Sequence, residues 1–81
     1  MNIFIARLNY STTGEDLQRL FEQYGTVDSS KVVLDRDTGR SKGFGFIEME
    51  NKDEALNAIS NLNETEFMGR NIVVKEARPK D

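Results

Sequence analysis

The chain has 81 residues, 37% of them hydrophobic and 31% charged, which is enough apolar material for one small domain. It has no Cys and no His, which excludes disulfides, Cys or His metal sites, a thiol nucleophile and any side chain that titrates near neutrality unshifted, so an enzyme is not expected and neither cofactor nor metal is called for. No apolar run approaches a membrane span and the opening residues do not read as a signal peptide, so the expectation is a cytoplasmic domain, although a net charge of −3 speaks at first sight against a nucleic-acid partner.

Asn2–Ala6 is a short run of β-branched and aromatic residues closed by the polar stretch Asn9–Thr13, and it reads as a first strand. Thr12 and Glu15 have capping-box spacing, and Leu17, Leu20, Phe21 and Tyr24 recur at helical intervals before Gly25, which predicts a helix with one buried face. Lys31–Leu34 predicts a second strand leading into the polar loop Asp35–Ser41, and Phe44–Met49 alternates as a third. Asn51 and Glu54 repeat the capping spacing ahead of Ala55, Ala58, Ile59 and Leu62, which predicts a second helix. Phe67–Arg70 reads as a tight turn and Asn71–Ala77 as a fourth strand. The order βαββαβ is a split βαβ, ferredoxin-like α+β pattern, with residues 1–78 as the domain and 79–81 as a short tail.

Charge is segregated along this pattern. Glu15, Asp16, Glu22 and Asp28 oppose only Arg19 in the first helical region, and Glu48, Glu50, Asp53, Glu54, Glu64 and Glu66 oppose only Lys52 and Arg70 around the second. Arg7, the 31–42 segment and the fourth strand are the positive parts, so an acidic protein can still present one basic face. Strand alternation puts Lys42, Phe44, Phe46 and Glu48 on one side and Gly43, Gly45, Ile47 and Met49 on the other. Ile47 and Met49 are the better core pair, and the glycines would let a helix approach. With Ile3 and Ile5 also facing the core, Phe4 joins Phe44 and Phe46 on the open side. Taken singly, each Phe is more readily a core residue; parity on two strands reverses that and leaves a contiguous apolar patch to be explained.

Lys42-Gly43-Phe44-Gly45-Phe46-Ile47-Glu48-Met49 resembles the octamer of the RNA recognition motif at seven of eight positions, counting Ile for Val, with Met49 replacing the last aromatic. Ile3-Phe4-Ile5-Ala6-Arg7-Leu8 is similar to the companion hexamer of that family, and the resemblance runs over essentially the whole chain, most like the small bacterial proteins made of a single such motif. It implies a four-stranded antiparallel sheet in order 4-1-3-2 with two helices on one face and single-stranded RNA across the other. Phe4 and Phe44 would stack on bases, Phe46 would contact sugars or wedge between nucleotides, and Lys42 would meet a phosphate. Lys75, Ala77 and Arg78 would add backbone and base-edge contacts at the end of the fourth strand, with Lys31 and Arg40 at the opposite edge. A monomer that takes single-stranded DNA more weakly, and no membrane, completes the implied picture.

Four departures from the family pattern carry expectations. Met49 has inward parity and should alter only the core; Arg7 stands where the family has Asn and adds a cation; Ser30 in place of Val suggests a looser second strand; and Asn63 before Glu64 would supply the left-handed residue that ends the second helix. The rival function class is a protein-interaction module of the same fold, docking a basic peptide on its acidic helical faces. The Gly43/Gly45 pair does not make a dinucleotide fingerprint, because the third glycine position is Glu48.

Overall fold

The computed structural model describes residues 1–77; Arg78 and the expected tail lie outside the described residues. In chain order the elements are β1 (Asn2–Ala6), α1 (Gly14–Glu22), β2 (Ser29–Leu34), β3 (Ser41–Glu48), α2 (Lys52–Leu62), the short strands β4 (Glu66–Phe67) and β5 (Arg70–Asn71), and β6 (Val73–Ala77). The long strands form one antiparallel sheet in the order β2-β3-β1-β6, which is the expected order read in reverse, with β6 as its fourth strand. Among the described residues no helix is long and apolar enough to cross a membrane.

Alternation decides which side of that sheet is covered. Ile3, Ile5, Ile47 and Val74 are buried against Leu17 and Phe21 of α1 and Ala55, Ala58 and Leu62 of α2, and Met49 joins the same core, as its parity requires. Each large apolar side chain taken out of water contributes about 1.5–3 kcal/mol, so this face fixes the sheet against the helices. The register pairs Ile3 with Ile47 and Phe4 with Phe46; a one-residue slip would turn the rings inward and the isoleucines out.

Several local expectations shift. The α1 cap is Thr13, not Thr12: its hydroxyl accepts from Asp16 N at 3.2 Å and the Asp16 carboxylate accepts from Thr13 N at 3.0 Å, so the capping box sits one residue later than the Thr12/Glu15 spacing suggested. Thr12 is unavailable because it is buried and its hydroxyl donates to the Met68 sulfur at 3.2 Å. Asn51 caps α2 as expected, accepting from Glu54 N at 2.9 Å. The left-handed residue after α2 is Glu64 (φ 62°), whereas Asn63 is extended (φ −61°, ψ 132°) and spends its carboxamide oxygen on Val74 N at 2.9 Å, tying the helix end to β6. Ser30 does not simply loosen β2; its hydroxyl donates to the Gly14 carbonyl at 2.7 Å and ties the strand to the start of α1.

The tight turn around Phe67–Arg70 is a small hairpin of its own, so the strand paired with β1 begins at Val73 and not at Asn71. Met68 (φ 52°) and Gly69 (φ 84°) supply the two positive angles that a two-residue turn between β4 and β5 needs. β3 reaches back to Ser41 through an irregularity: Val32 pairs with Gly45 but Leu34 with Ser41, so β3 runs two residues longer there, and Gly43 (φ 85°) takes up the excess. Gly45 is the glycine that permits close approach, since a side chain there would meet the Lys31 carbonyl oxygen and lie 3.1 Å from Leu17 Cδ1; Gly43 faces Tyr10 rather than a helix.

Candidate functional site

Three rings lie together on the side of the sheet without helices. The Phe4 centroid is 5.8 Å from that of Phe44 and 5.5 Å from that of Phe46, and Phe44 meets Phe46 edge-on at 6.3 Å and 88°. All three are half-buried and none belongs to the core cluster, so they support one another sideways while their upper surfaces remain open. Cross-strand pairing positions them: β1 carries Phe4 between Phe46 on β3 and Lys75 on β6. The Lys75 ammonium sits 5.6 Å from the Phe4 ring centroid, a cation–π contact that holds positive charge over the aromatic surface.

The expected cations surround this surface. Lys31 on β2 is in register with Phe46, and an open concavity there joins Lys31 and Phe46 to Val33 and to Ala77 at the end of β6. At the other end, Lys42 and Phe44 wall two neighbouring concavities, one reaching Lys31 and Arg40 and the other reaching Phe4, Arg7 and Arg70. Lys42 therefore reaches the rim of the rings across the Gly43 irregularity and not by unbroken alternation. Arg7 is exposed just past β1 in the left-handed region (φ 61°), a conformation that costs a non-glycine residue about 1–2 kcal/mol. Among the described residues the sole ion pair is Arg19–Glu15 on α1, at 2.9 Å, so none of these rim cations is within ion-pair distance of a described carboxylate. On the ring side Arg7, Lys31, Arg40, Lys42 and Arg70 line the concavities together with the carboxylates of Glu48 and Asp35, so cations outnumber acids there, while the acidic groups of the helices lie behind the sheet. Arg78 lies outside the described residues.

The β2–β3 loop beside Arg40 is braced. Asp35 N donates to the Arg40 carbonyl at 2.7 Å, Gly39 N donates to the Asp35 carbonyl at 2.9 Å, and the Asp35 carboxylate accepts from Asp37 N at 2.8 Å and Thr38 N at 3.1 Å. The Thr38 and Asp37 amides, with the Lys42 ammonium adding a smaller attraction, hold the Asp35 carboxyl below its ordinary value.

Sequence reasoning passed over two residues of this region. Arg70 sits on β5, far from the rings in the chain, and nothing in its local sequence marks it; the hairpin brings it to the concavity beside Phe4 and Phe44. Tyr10 is 67% exposed and lines both concavities at the Lys42 end, and its place in the polar stretch directly after the first strand was the available signal.

A sequence model described as the RNA recognition motif matches residues 3–73. The chain is 43% identical over 81 residues to the protein RbpE of Nostoc sp. (strain PCC 7120), covering all of this chain and 82% of that relative. Among solved structures, RNA Binding Protein PG1 is 52% identical with a TM-score of 0.94 and 99% of both chains covered. The Rna15 RRM with bound RNA (GU) is 29% identical with a TM-score of 0.85, covering 99% of this chain and 85% of that one.

Proposed function

This chain belongs to the RNA recognition motif family, and we propose that it binds single-stranded RNA across the open sheet face, with Phe4, Phe44 and Phe46 as the surfaces on which bases and sugars rest. The observation that carries this is the ring cluster itself: three phenylalanines within 6.3 Å of one another, outside the core, on the face without helices. An unpaired base offers a flat π-face to such a ring, whereas a duplex hides its bases within the stack. Lys31, Arg40, Lys42, Lys75 and Arg7 serve phosphates or base edges from the rim, and Ala77 leaves space beside Phe46 and Lys31. RNA-bound Rna15 shares the fold, which supports RNA as the ligand. Nothing in the geometry or the comparisons favours the rival reading of a basic peptide on the helices.

Titrating labelled RNA homopolymers, with single-stranded DNA and duplex RNA as controls, tests the reading. Single-stranded RNA should bind, DNA more weakly and duplex least; equal binding of duplex would refute it. Binding without chemistry by a cytoplasmic monomer belongs to the same proposal, and sedimentation of the protein alone and with one bound oligomer checks the monomer.

A further inference from the structure

Tyr10 has the largest exposure of the big hydrophobic side chains among the described residues, and the core makes no use of it. It is nevertheless held in place. The Asn9 carboxamide oxygen accepts from Ser11 N at 2.8 Å and the Asn9 carbonyl accepts from Thr12 N at 2.9 Å, while Asn9 Nδ2 donates to the Met68 carbonyl at 3.0 Å. These bonds brace the β1–α1 loop on both sides of Tyr10 and fasten it to the β4–β5 hairpin. The ring itself lies over Gly43, where a Cβ would come within 3.1 Å of Tyr10 Cε1, so the glycine gives the ring its seat as well as its own positive φ.

An aromatic side chain displayed from a braced loop loses little conformational freedom when a flat ligand covers it. Its surroundings suit one such ligand. Tyr10 shares with Lys42 and Phe44 the ridge between the two concavities, and beyond it the groove runs between the β1–α1 and β2–β3 loops toward Lys31, Leu34 and Arg40. Asp35 also lines this groove and its carboxylate, accepting from the Asp37 and Thr38 amides, stays negative, but Lys31, Arg40 and Lys42 on the same lining outnumber it. We infer that Tyr10 is a fourth stacking platform, taking the nucleotide beyond those on the phenylalanine cluster, with Lys42 and Arg40 placed for the phosphates on either side of it. This rests on the RNA-binding reading and adds to it a residue and a direction, since the strand leaves the sheet over the Lys42 end of β3.

The chain has two tyrosines and no tryptophan, and Tyr24 is packed against the core, so in a Tyr24→Phe variant the tyrosine emission reports Tyr10 alone. That variant is titrated with oligouridylates lengthened one nucleotide at a time, with affinity read by competition against a labelled strand. The expected result is that the shortest oligomers that bind leave the emission unchanged, that it falls once the strand reaches the loop, and that affinity rises about 5- to 150-fold at that same length. The gain should be missing in Tyr10→Ala and kept in Tyr10→Phe, with both variants melting near the parent. Unchanged emission at every length in protein that has bound RNA would overturn the inference, as would a Tyr10→Ala loss equal at all lengths. A parent that binds no oligomer at all would refute the RNA-binding reading itself, and the inference with it.

Discussion

Replacing Phe4 with Ala removes the hub of the ring cluster. Its ring meets Phe46 at 5.5 Å, Phe44 at 5.8 Å and the Lys75 ammonium at 5.6 Å, all of them contacts between neighbouring strands. Such contacts are worth about 0.2–1 kcal/mol each, so the loss of all three should lower stability by about 0.6–3 kcal/mol. Phe21, by contrast, is fully buried, and its truncation to Ala should cost about 3–5 kcal/mol, comparable with the whole stability of a small domain. For a domain of this size each kcal/mol moves Tm by about 4–8 °C, so Phe4→Ala should melt below the parent and above Phe21→Ala, and its affinity is read at a temperature below its own melt. There it should bind single-stranded RNA about 1–3 kcal/mol more weakly, the worth of one base on one ring. Circular dichroism melts set the stability, and fluorescence anisotropy with a labelled oligomer sets the affinity at a temperature where both proteins are native. Phe4→Leu keeps apolar bulk without a π-face and should recover stability but not affinity. A Phe4→Ala melt as low as that of Phe21→Ala, or an unchanged affinity, would refute the assignment of this ring to an open binding face.

The opposite parity gives the converse expectation: Ile47→Ala should cost about 2–5 kcal/mol in urea denaturation while its folded fraction binds normally, and parent-like stability with lost binding would mean that the faces are reversed. Gly45→Ala forces a methyl onto the Lys31 carbonyl oxygen and toward Leu17, and should destabilise by about 1–3 kcal/mol; a neutral result would deny the close approach of β2 and α1. The Asp35 carboxyl titrates lower in the folded loop than in the unfolded chain, so its brace is complete above about pH 4 and is lost as pH falls through the lower folded value. The Asp37 and Thr38 amide shifts, followed by NMR into acid, should therefore move below the ordinary aspartate range, and movement at or above that range would contradict the brace. If three rim cations meet phosphates, log K against log salt should have a slope of about −2, with Glu15→Gln/Glu22→Gln raising affinity modestly at low salt only; a slope near −5 would put many more cations at the interface. Asp16 is left intact in that variant because it closes the α1 capping box.

The sheet, its two helices and the sorting of its faces were legible because period-two and period-3.6 patterns are set by burial, and burial of Ile3, Ile5, Ile47 and Phe21 dominates this small core. What was not legible depends on contacts distant in the chain. Thr12 loses the cap to Thr13 because Met68, remote in sequence, takes its hydroxyl. Asn63 stays extended because Val74 N needs its oxygen, which moves the left-handed residue on to Glu64. The β4–β5 hairpin was hidden because Met68, an unusual residue at positive φ, gave no turn signal beside Gly69. Within the candidate site, the rings followed from alternation alone, whereas Arg70 and the seat of Tyr10 over Gly43 required the fold.

The central claim is that RNA lies on the ring face and not on the helices. An NMR titration of the protein with a single-stranded oligoribonucleotide measures this residue by residue. The ring protons of Phe4, Phe44 and Phe46 and the amides around Lys31, Lys42 and Lys75 should shift in step with binding, while Phe21 and the exposed positions of α1 and α2, such as Glu22 and Asp53, stay in place. Shifts centred on α1 or α2, with the three rings undisturbed in a complex of proven stoichiometry, would contradict the account.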